Sequence, residues 1–244
     1  NNEVGIHYQP YISTNDFSLE GVEALMRWRP AQFEALSPEE YIPLAEETGI
    51  IRELGLWVLE HACIQHTEWV KRFNRTFTLA VNVSPRQLLD EKFADKVLDV
   101  IQRTGIPPEM LELEITEMIA SQENSIIDQN VNILIQNKVG FAIDDFGSGY
   151  ASFHYVKRFT SKKIKIDRKF TENIEASNRE ANLVKMIVTM GHSLDAQVTA
   201  EGVSTLEQFS MLKDIGCDFA QGFFISRPLS PKELEQFLIQ PVVK

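Results

Sequence analysis

A (β/α)8 barrel of the α/β class is the fold this sequence predicts, and three observations predict it. Short apolar runs alternate with longer amphipathic stretches along the whole chain. The runs number eight, the strand count of such a barrel. The length, 244 residues, is long for most single domains but ordinary for this one. No low-complexity tract or linker interrupts the alternation, so residues 1–244 read as a single domain.

The elements follow in order. Ile6–Ile12 and Leu19–Trp28 are strand-like. A helix runs from Ser37-Pro38-Glu39, an N-cap followed by Pro at the first helical position, to Gly49. A second spans Ile50 to about Phe73, with Leu54, Val58, Ala62 and Trp69 at helical spacing. Strands at Phe77–Ser84, Met110–Thr116 and Gly140–Phe146 lead into helices starting near Ser84-Pro85, Ser121 and Ser148. Strands at Lys162–Asp167, Ala196–Val203 and Phe219–Ser226 lead into helices near Asn178, Ser204 and Ser230-Pro231.

A hydrophobic fraction of 43% fills a sizeable core, which excludes disorder for the bulk of the chain. The net charge of −11 argues against a duplex nucleic-acid binder and against docking on an anionic membrane. A phosphorylated ligand remains open, provided something cationic lies between. Cys63 and Cys217 both read as helical; two thiols in so long a chain point to a reducing, cytoplasmic setting with no disulfide framework. No apolar run approaches the roughly 20 residues that cross a bilayer, and no signal-peptide pattern opens the chain. The start, Asn1-Asn2-Glu3, has no Met and runs almost at once into a strand, so the expectation is a domain excised from a larger protein.

Polar residues at the strand ends carry the functional signal. They are Glu23, Asn82, Glu114, Asp144 with Asp145, Lys165 sharing a face with Asp167, Glu201 and Gln221. Barrel enzymes place their chemistry at the C-terminal rim of the strands. Alternation points Glu112, Glu114 and Thr116 one way and Leu111, Leu113 and Ile115 the other. Five carboxylates on one mouth cannot all stay ionised without compensation, because neighbouring like charges raise one another's pKa. An oxygen-rich set made of Glu23, Asn82, Glu114, Asp144, Asp145 and Glu201 suits Mg²⁺ or Mn²⁺. Six side chains overfill one such ion; two ions about 3.5–4 Å apart fit better, the arrangement used for displacement at phosphorus.

Each residue has a plainer reading. A lone Glu at a strand end is more often solvated or paired with a Lys, Asp144-Asp145 before Gly147 also suits a turn, and Lys165 alone reads as a salt-bridging cation. Compatible groups on seven strand ends are harder to obtain by accident. Gly147-Ser148-Gly149 suggests a dinucleotide loop only weakly, since Ser152 stands where a third glycine belongs. His7, His61, His66, His154 and His192 fall in no metal-ligand spacing. The aromatic residues of Phe219–Phe224 read as barrel packing, with Phe223 alternatively lining a base pocket.

The run Glu23-Ala24-Leu25-Met26-Arg27-Trp28 resembles the signature of EAL domains, bacterial phosphodiesterases acting on the second messenger cyclic di-GMP. The likeness covers nearly the whole chain. It takes in Tyr8-Gln9-Pro10, Tyr41–Glu47, Val81–Ser84, Glu114–Glu117, Asp144–Tyr150, Lys165–Arg168, Ala200–Val203 and Gln221–Phe223, in order and at matching spacing. The resemblance implies a TIM-like barrel with its first strand antiparallel to the rest. It implies two divalent cations, Mg²⁺ or Mn²⁺. One would be held by Glu23, Asn82, Glu114 and Asp144; the other would share Asp144 and be held by Asp145 and Glu201. A water bridging the ions, oriented by Lys165, would open cyclic di-GMP to linear pGpG, which makes Lys165, Glu201 and Glu23 the catalytic set. Arg27 would clamp a phosphate, and Gln9 and Gln221 would touch substrate. Glu117 matches a residue that binds no metal but holds the loop Asp145–Tyr150, which in the family bears on dimerisation and activity. A homodimer and regulatory domains elsewhere in the chain are expected on the same ground.

Departures from the family pattern spare every matched ligand. Ser148 stands for the usual Thr and Ala151 for a common Ser. Thr160-Ser161-Lys162-Lys163 precedes the catalytic Lys, placing two extra cations near the rim, and Ser204 replaces a common Glu. Two competing readings are a cyclic di-GMP receptor that binds without turnover and signals through a partner, and an enolate-stabilising barrel with Lys165 as base.

Overall fold

The computed structural model describes residues 3–29, 36–147 and 163–239. Its eight strands close into a barrel in sequence order. They are β1 (Val4–Ser13), β2 (Leu19–Trp28), β3 (Thr78–Asn82), β4 (Leu111–Thr116), β5 (Gly140–Phe146), β6 (Lys163–Ile166), β7 (Gln197–Ala200) and β8 (Phe219–Gln221). β1 runs antiparallel to both neighbours, β2 and β8, and the remaining pairings are parallel. The first of these contrasts has a local cause. A short turn joins β1 to β2, and a parallel pair would need a crossover of a dozen residues or more.

The helices are α1 (Pro38–Thr48), α2 (Ile51–Phe73), α3 (Pro85–Leu88), α4 (Phe93–Thr104), α5 (Glu117–Ala120), α6 (Ser125–Gln136), α7 (Arg168–Thr171), α8 (Asn178–Ser193), α9 (Leu206–Ile215) and α10 (Pro231–Ile239). Their starts are written in the sequence. The amide of Ser37 donates to Glu40 Oε2 at 2.8 Å ahead of α1. Ser84 and Gln87 close a reciprocal box over α3, and Thr205 and Gln208 do the same over α9. Gly49 and Gly105 end α1 and α4 in the left-handed region.

Several boundaries differ from the sequence expectation. β7 stops at Ala200 because Gly202 (φ 71°) turns the chain, and β8 stops at Gln221 because the amides of Ile225 and Ser226 close on the carbonyl of Gly222. The helix expected near Ser121 begins at Ser125, where Asn124 caps the amide of Ile126 at 2.9 Å; the short α5 precedes it. Cys63 lies in α2, but Cys217 falls between α9 and β8 rather than in a helix. Both thiols are buried and free, and burial pushes each up to about 12. The helix expected near Ser148 lies outside the described residues.

The apolar sides of the strands face the helices. Leu111, Leu113 and Ile115 are buried in one core with Val97, Ile101 and Leu134, while Ile166, Val198 and Ala200 join Val184, Phe209 and Leu212. The alternate residues point into the barrel, as contacts between strands that are not neighbours require. At the end where the parallel strands begin, Lys163 Nζ lies 3.0 Å from Tyr11 Oη and 3.2 Å from Glu112 Oε1. It also sits 4.7 Å from the centre of the Tyr11 ring and 5.2 Å from that of Phe219. Gly21 makes this possible, since a Cβ there would stand 2.3 Å from Tyr11 Oη. Lys163 is thus not a rim cation: two residues ahead of Lys165, it closes the floor. Lys162 lies outside the described residues. Phe219 is buried as expected, whereas Phe223 is 55% exposed, with Arg227 4.1 Å from its ring centre.

Candidate active site

At the other end of the barrel Lys165 is 2% exposed and surrounded by acids. Its Nζ lies 2.7 Å from Glu201 Oε1, 2.9 Å from Glu114 Oε2, 3.3 Å from Glu23 Oε2 and 3.4 Å from Asp144 Oδ1. Each partner comes from a different strand: Glu23 from the middle of the long β2, Glu114 and Asp144 from the later halves of β4 and β5, and Glu201 from just past β7. The barrel brings these positions to one mouth.

Glu23 is held by two side-chain amides. Asn82 Nδ2 donates to its Oε1 at 2.6 Å and Gln221 Nε2 to its Oε2 at 2.6 Å. Gln221 also reaches Gln9 Oε1 at 3.4 Å, and Gln9 Nε2 donates to the carbonyl of Ser226 at 3.1 Å. The amide of Gln221 therefore faces an acid of the cluster.

Asp144 and Asp145 are consecutive, and in a regular strand their side chains would point to opposite faces. Here the pairing of β5 with β6 is irregular between Ile143 and Phe146, and Asp145 takes φ 54°, a left-handed conformation that Asp tolerates better than most residues. The result is that Asp144, Asp145 and Glu201 each place one carboxylate oxygen within 4.8 Å of the others. Glu117, at the start of α5, accepts the amide of Gly147 at 2.8 Å and so ties the chain just after these aspartates. Gly147 has φ 92°, and a Cβ on it would meet the Phe170 ring at 2.6 Å.

The electrostatics are those of crowded acid. Burial, then Glu23 and Asp144, raise Glu114 well above the ordinary carboxylate range. Burial and Asp144 push Glu201 up to about 8. Asp144 is raised by burial and by Glu23, and Asp145 by burial and its neighbours Asp144 and Asp167. Glu23 is the exception: burial opposes its charge, but Lys165, Gln221 and Asn82 outweigh burial and hold it low. Burial likewise opposes the charge of Lys165, yet Asp144, Glu114, Glu201 and Glu23 together keep it firmly protonated. One ammonium stands against four carboxyl groups, so full ionisation of the cluster needs further positive charge, and all its ligand atoms are hard oxygens. The residues fit divalent cations such as Mg²⁺ or Mn²⁺.

Arg27 stands four residues beyond Glu23 on β2, roughly 13 Å along the strand. With Glu23, Tyr41, Asn82, Pro85 and Ile119 it lines a cavity of about 390 Å³. Other expected residues stay apart. Asp167 follows β6 and caps α7, accepting the amide of Lys169 at 2.9 Å and pairing with its Nζ at 3.1 Å. Ser204 joins the cap of α9, its amide 2.7 Å from Gln208 Oε1. Among the described histidines, His7, His61 and His66 bond backbone carbonyls and His192 pairs with Asp218; none enters the cluster. His154, Ser148 and Ala151 lie outside the described residues. Sequence reasoning missed the partnership of Tyr11, Glu112 and Lys163; strand alternation of Glu112 with Glu114 and of Lys163 with Lys165 was the available signal.

A closed eight-stranded barrel with β1 antiparallel to its neighbours and an acidic, metal-compatible mouth defines a TIM-like mixed barrel domain. The chain belongs to the EAL domain family, whose profile it matches over residues 1–228. It is 37% identical over 232 residues to the bifunctional diguanylate cyclase/cyclic di-GMP phosphodiesterase MucR of Pseudomonas aeruginosa, covering 94% of this chain and 33% of that protein. It is 35% identical over 238 residues to the cyclic di-GMP phosphodiesterase PA2567 of the same organism, covering 97% of this chain and 40% of the relative. A solved structure of the P. aeruginosa MucR phosphodiesterase in complex with c-di-GMP superposes with TM-score 0.90 at 36% identity, covering 95% of this chain and 94% of that one. The chain thus spans about a third of the length of the curated relatives it matches. No helix among the described residues is long and apolar enough to cross a membrane.

Proposed function

We propose that this domain hydrolyses cyclic di-GMP to linear pGpG with the help of two divalent cations. The observation that carries the reading is the ring of acidic groups itself: four acids converge on Lys165, and Asp145 joins two of them in a second grouping. Glu23, Asn82, Glu114 and Asp144 would hold one cation, and Asp144, Asp145 and Glu201 the other. Bound there, the cations would activate a water and offset the charge that builds on phosphorus.

The chain's own groups do the rest. Lys165 stays charged in this setting, so it acts as a hydrogen-bond donor rather than a base, orienting the attacking water and stabilising negative charge on the phosphoryl oxygens. Gln221 and Asn82 keep Glu23 ionised and aimed. Arg27 supplies a planar donor for a phosphate at the outer edge of the mouth. Glu117 holds the backbone that presents Asp145. Water adds across one phosphodiester; its oxygen joins phosphorus as the bond to one ribose oxygen breaks, and that oxygen takes a proton.

The likeness to relatives named as cyclic di-GMP phosphodiesterases, and to a structure solved with c-di-GMP, supports the choice of substrate. The test is to incubate the domain with cyclic di-GMP and Mg²⁺ or Mn²⁺ and look for pGpG. Binding without any pGpG would turn the assignment toward a receptor module, and absence of both would end it.

A further inference from the structure

The guanidinium of Arg27 folds back onto its own strand, Nη1 donating to the carbonyl of Met26 at 2.8 Å. The same carbonyl accepts the hydroxyl of Tyr41, from α1, at 2.7 Å. One oxygen therefore carries two donors of different character. Arg27 is only partly buried and long enough to swing away. Tyr41 is 3% exposed, with Trp28 packed edge-on against its ring at 6.0 Å and 89°. Burial holds the Tyr41 phenol above its ordinary value, with Arg27 working against it, so the hydroxyl keeps its proton at neutral pH. Both side chains line the cavity that contains Glu23 and Asn82.

We propose that Tyr41 is a positioning residue for Arg27, keeping the Met26 carbonyl satisfied when the guanidinium leaves it for a substrate phosphate. The inference rests on the functional reading above, in which Arg27 binds phosphate. A part-buried carbonyl stripped of its last donor is costly. With Tyr41 present, the departing arginine leaves the oxygen bonded. Without that hydroxyl, the folded-back arginine is favoured, and apparent affinity falls with the fraction of molecules whose arginine is free to bind.

The experiment compares the wild-type domain, Tyr41→Phe, Arg27→Ala and the double variant for KM and kcat on cyclic di-GMP with Mn²⁺. The Phe ring keeps the packing against Trp28, and melting temperatures check that each variant is folded. Tyr41→Phe is expected to raise KM about two- to tenfold with kcat unchanged. In the Arg27→Ala background the same substitution should change nothing. An unchanged KM in Tyr41→Phe overturns the proposal, as does an equal effect in both backgrounds, which marks a merely structural tyrosine. A wild-type domain that neither binds nor hydrolyses the dinucleotide removes the functional reading and this inference together, a result visible before any variant is compared.

Discussion

Gln221 stands 2.6 Å from Glu23 Oε2 across the seam where β8 meets β1, and it does so as a donor. With Asn82 on the other oxygen, each oxygen of Glu23 is bonded by a neutral amide, which fixes the carboxylate plane without cancelling its charge. Outer partners of metal ligands commonly carry 10–100-fold in metal affinity or activity. Replacing Gln221 by Ala should therefore weaken Mn²⁺ binding, read by calorimetry, by about 10- to 100-fold. An unaltered metal isotherm would show that the contact does no orienting.

Metal-free protein should respond to pH in a defined direction. Glu201, raised to about 8, and Glu114, raised well above the ordinary carboxylate range, hold protons more tightly in the folded chain than in the unfolded one. As pH rises the unfolded chain ionises first, and the native state loses stability up to the folded values. Glu23, held below 4.5, adds stability that is fully present above that value and lost only in acid; Lys165, held above 10.5, adds stability that persists until strongly basic pH. His66, held below 6.5 by burial, stabilises with rising pH up to its ordinary value. The fall is thus cleanest between about pH 7 and 8.5. Melting temperatures in EDTA should drop across that range, and Mg²⁺ or Mn²⁺ should flatten the trend. A flat profile in EDTA would contradict the crowding of these acids.

The floor of the barrel gives a stability prediction separate from catalysis. Lys163 and Glu112 form a buried pair, with side-chain exposures of 6% and 10%. Lys163→Met leaves Glu112 in the lumen without its ammonium and should cost about 3–5 kcal/mol in urea unfolding. Replacing both by Met should recover much of that loss. A single variant as stable as wild type would mean the pair is dispensable.

Glu117 makes a fourth case. Glu117→Ala removes the acceptor of the Gly147 amide, a hydrogen bond to a charged group worth about 1.5–3 kcal/mol. Turnover of cyclic di-GMP should fall while far-UV circular dichroism is unchanged, and Glu117→Gln, which keeps an acceptor oxygen, should recover part of the rate. Equal rates for Glu117→Ala and wild type would separate this tie from activity.

The barrel was readable because period-2 patterning reports both strand and facing: Leu111, Leu113 and Ile115 against Glu112 and Glu114 sort themselves between helix layer and lumen. The acids that gather at the mouth were readable for the same reason, since Glu114, Asp144 and Glu201 close apolar runs and Glu23 interrupts one. What alternation cannot give is depth across the barrel. Lys163 and Lys165 share one face of β6, yet two residues of rise put one in the floor and the other in the mouth. Nor can it show a backbone that departs from the strand. Asp145 reaches the side of Asp144 through its positive φ, and Asp167 leaves the lumen because the chain turns into α7 at that residue. The amide orientation of Gln221 depends on a carboxylate 198 positions away, beyond any local pattern.

The reversed direction of β1 has a further outcome. Val4 lies opposite Trp28, at the outer end of the strand that carries Glu23 and Arg27. A polypeptide joined ahead of Val4 would thus enter beside the acidic mouth, whereas a first strand parallel to the rest would begin beneath the floor. An upstream tether could then tug directly on the doorway, with no signal needing to travel through the barrel wall.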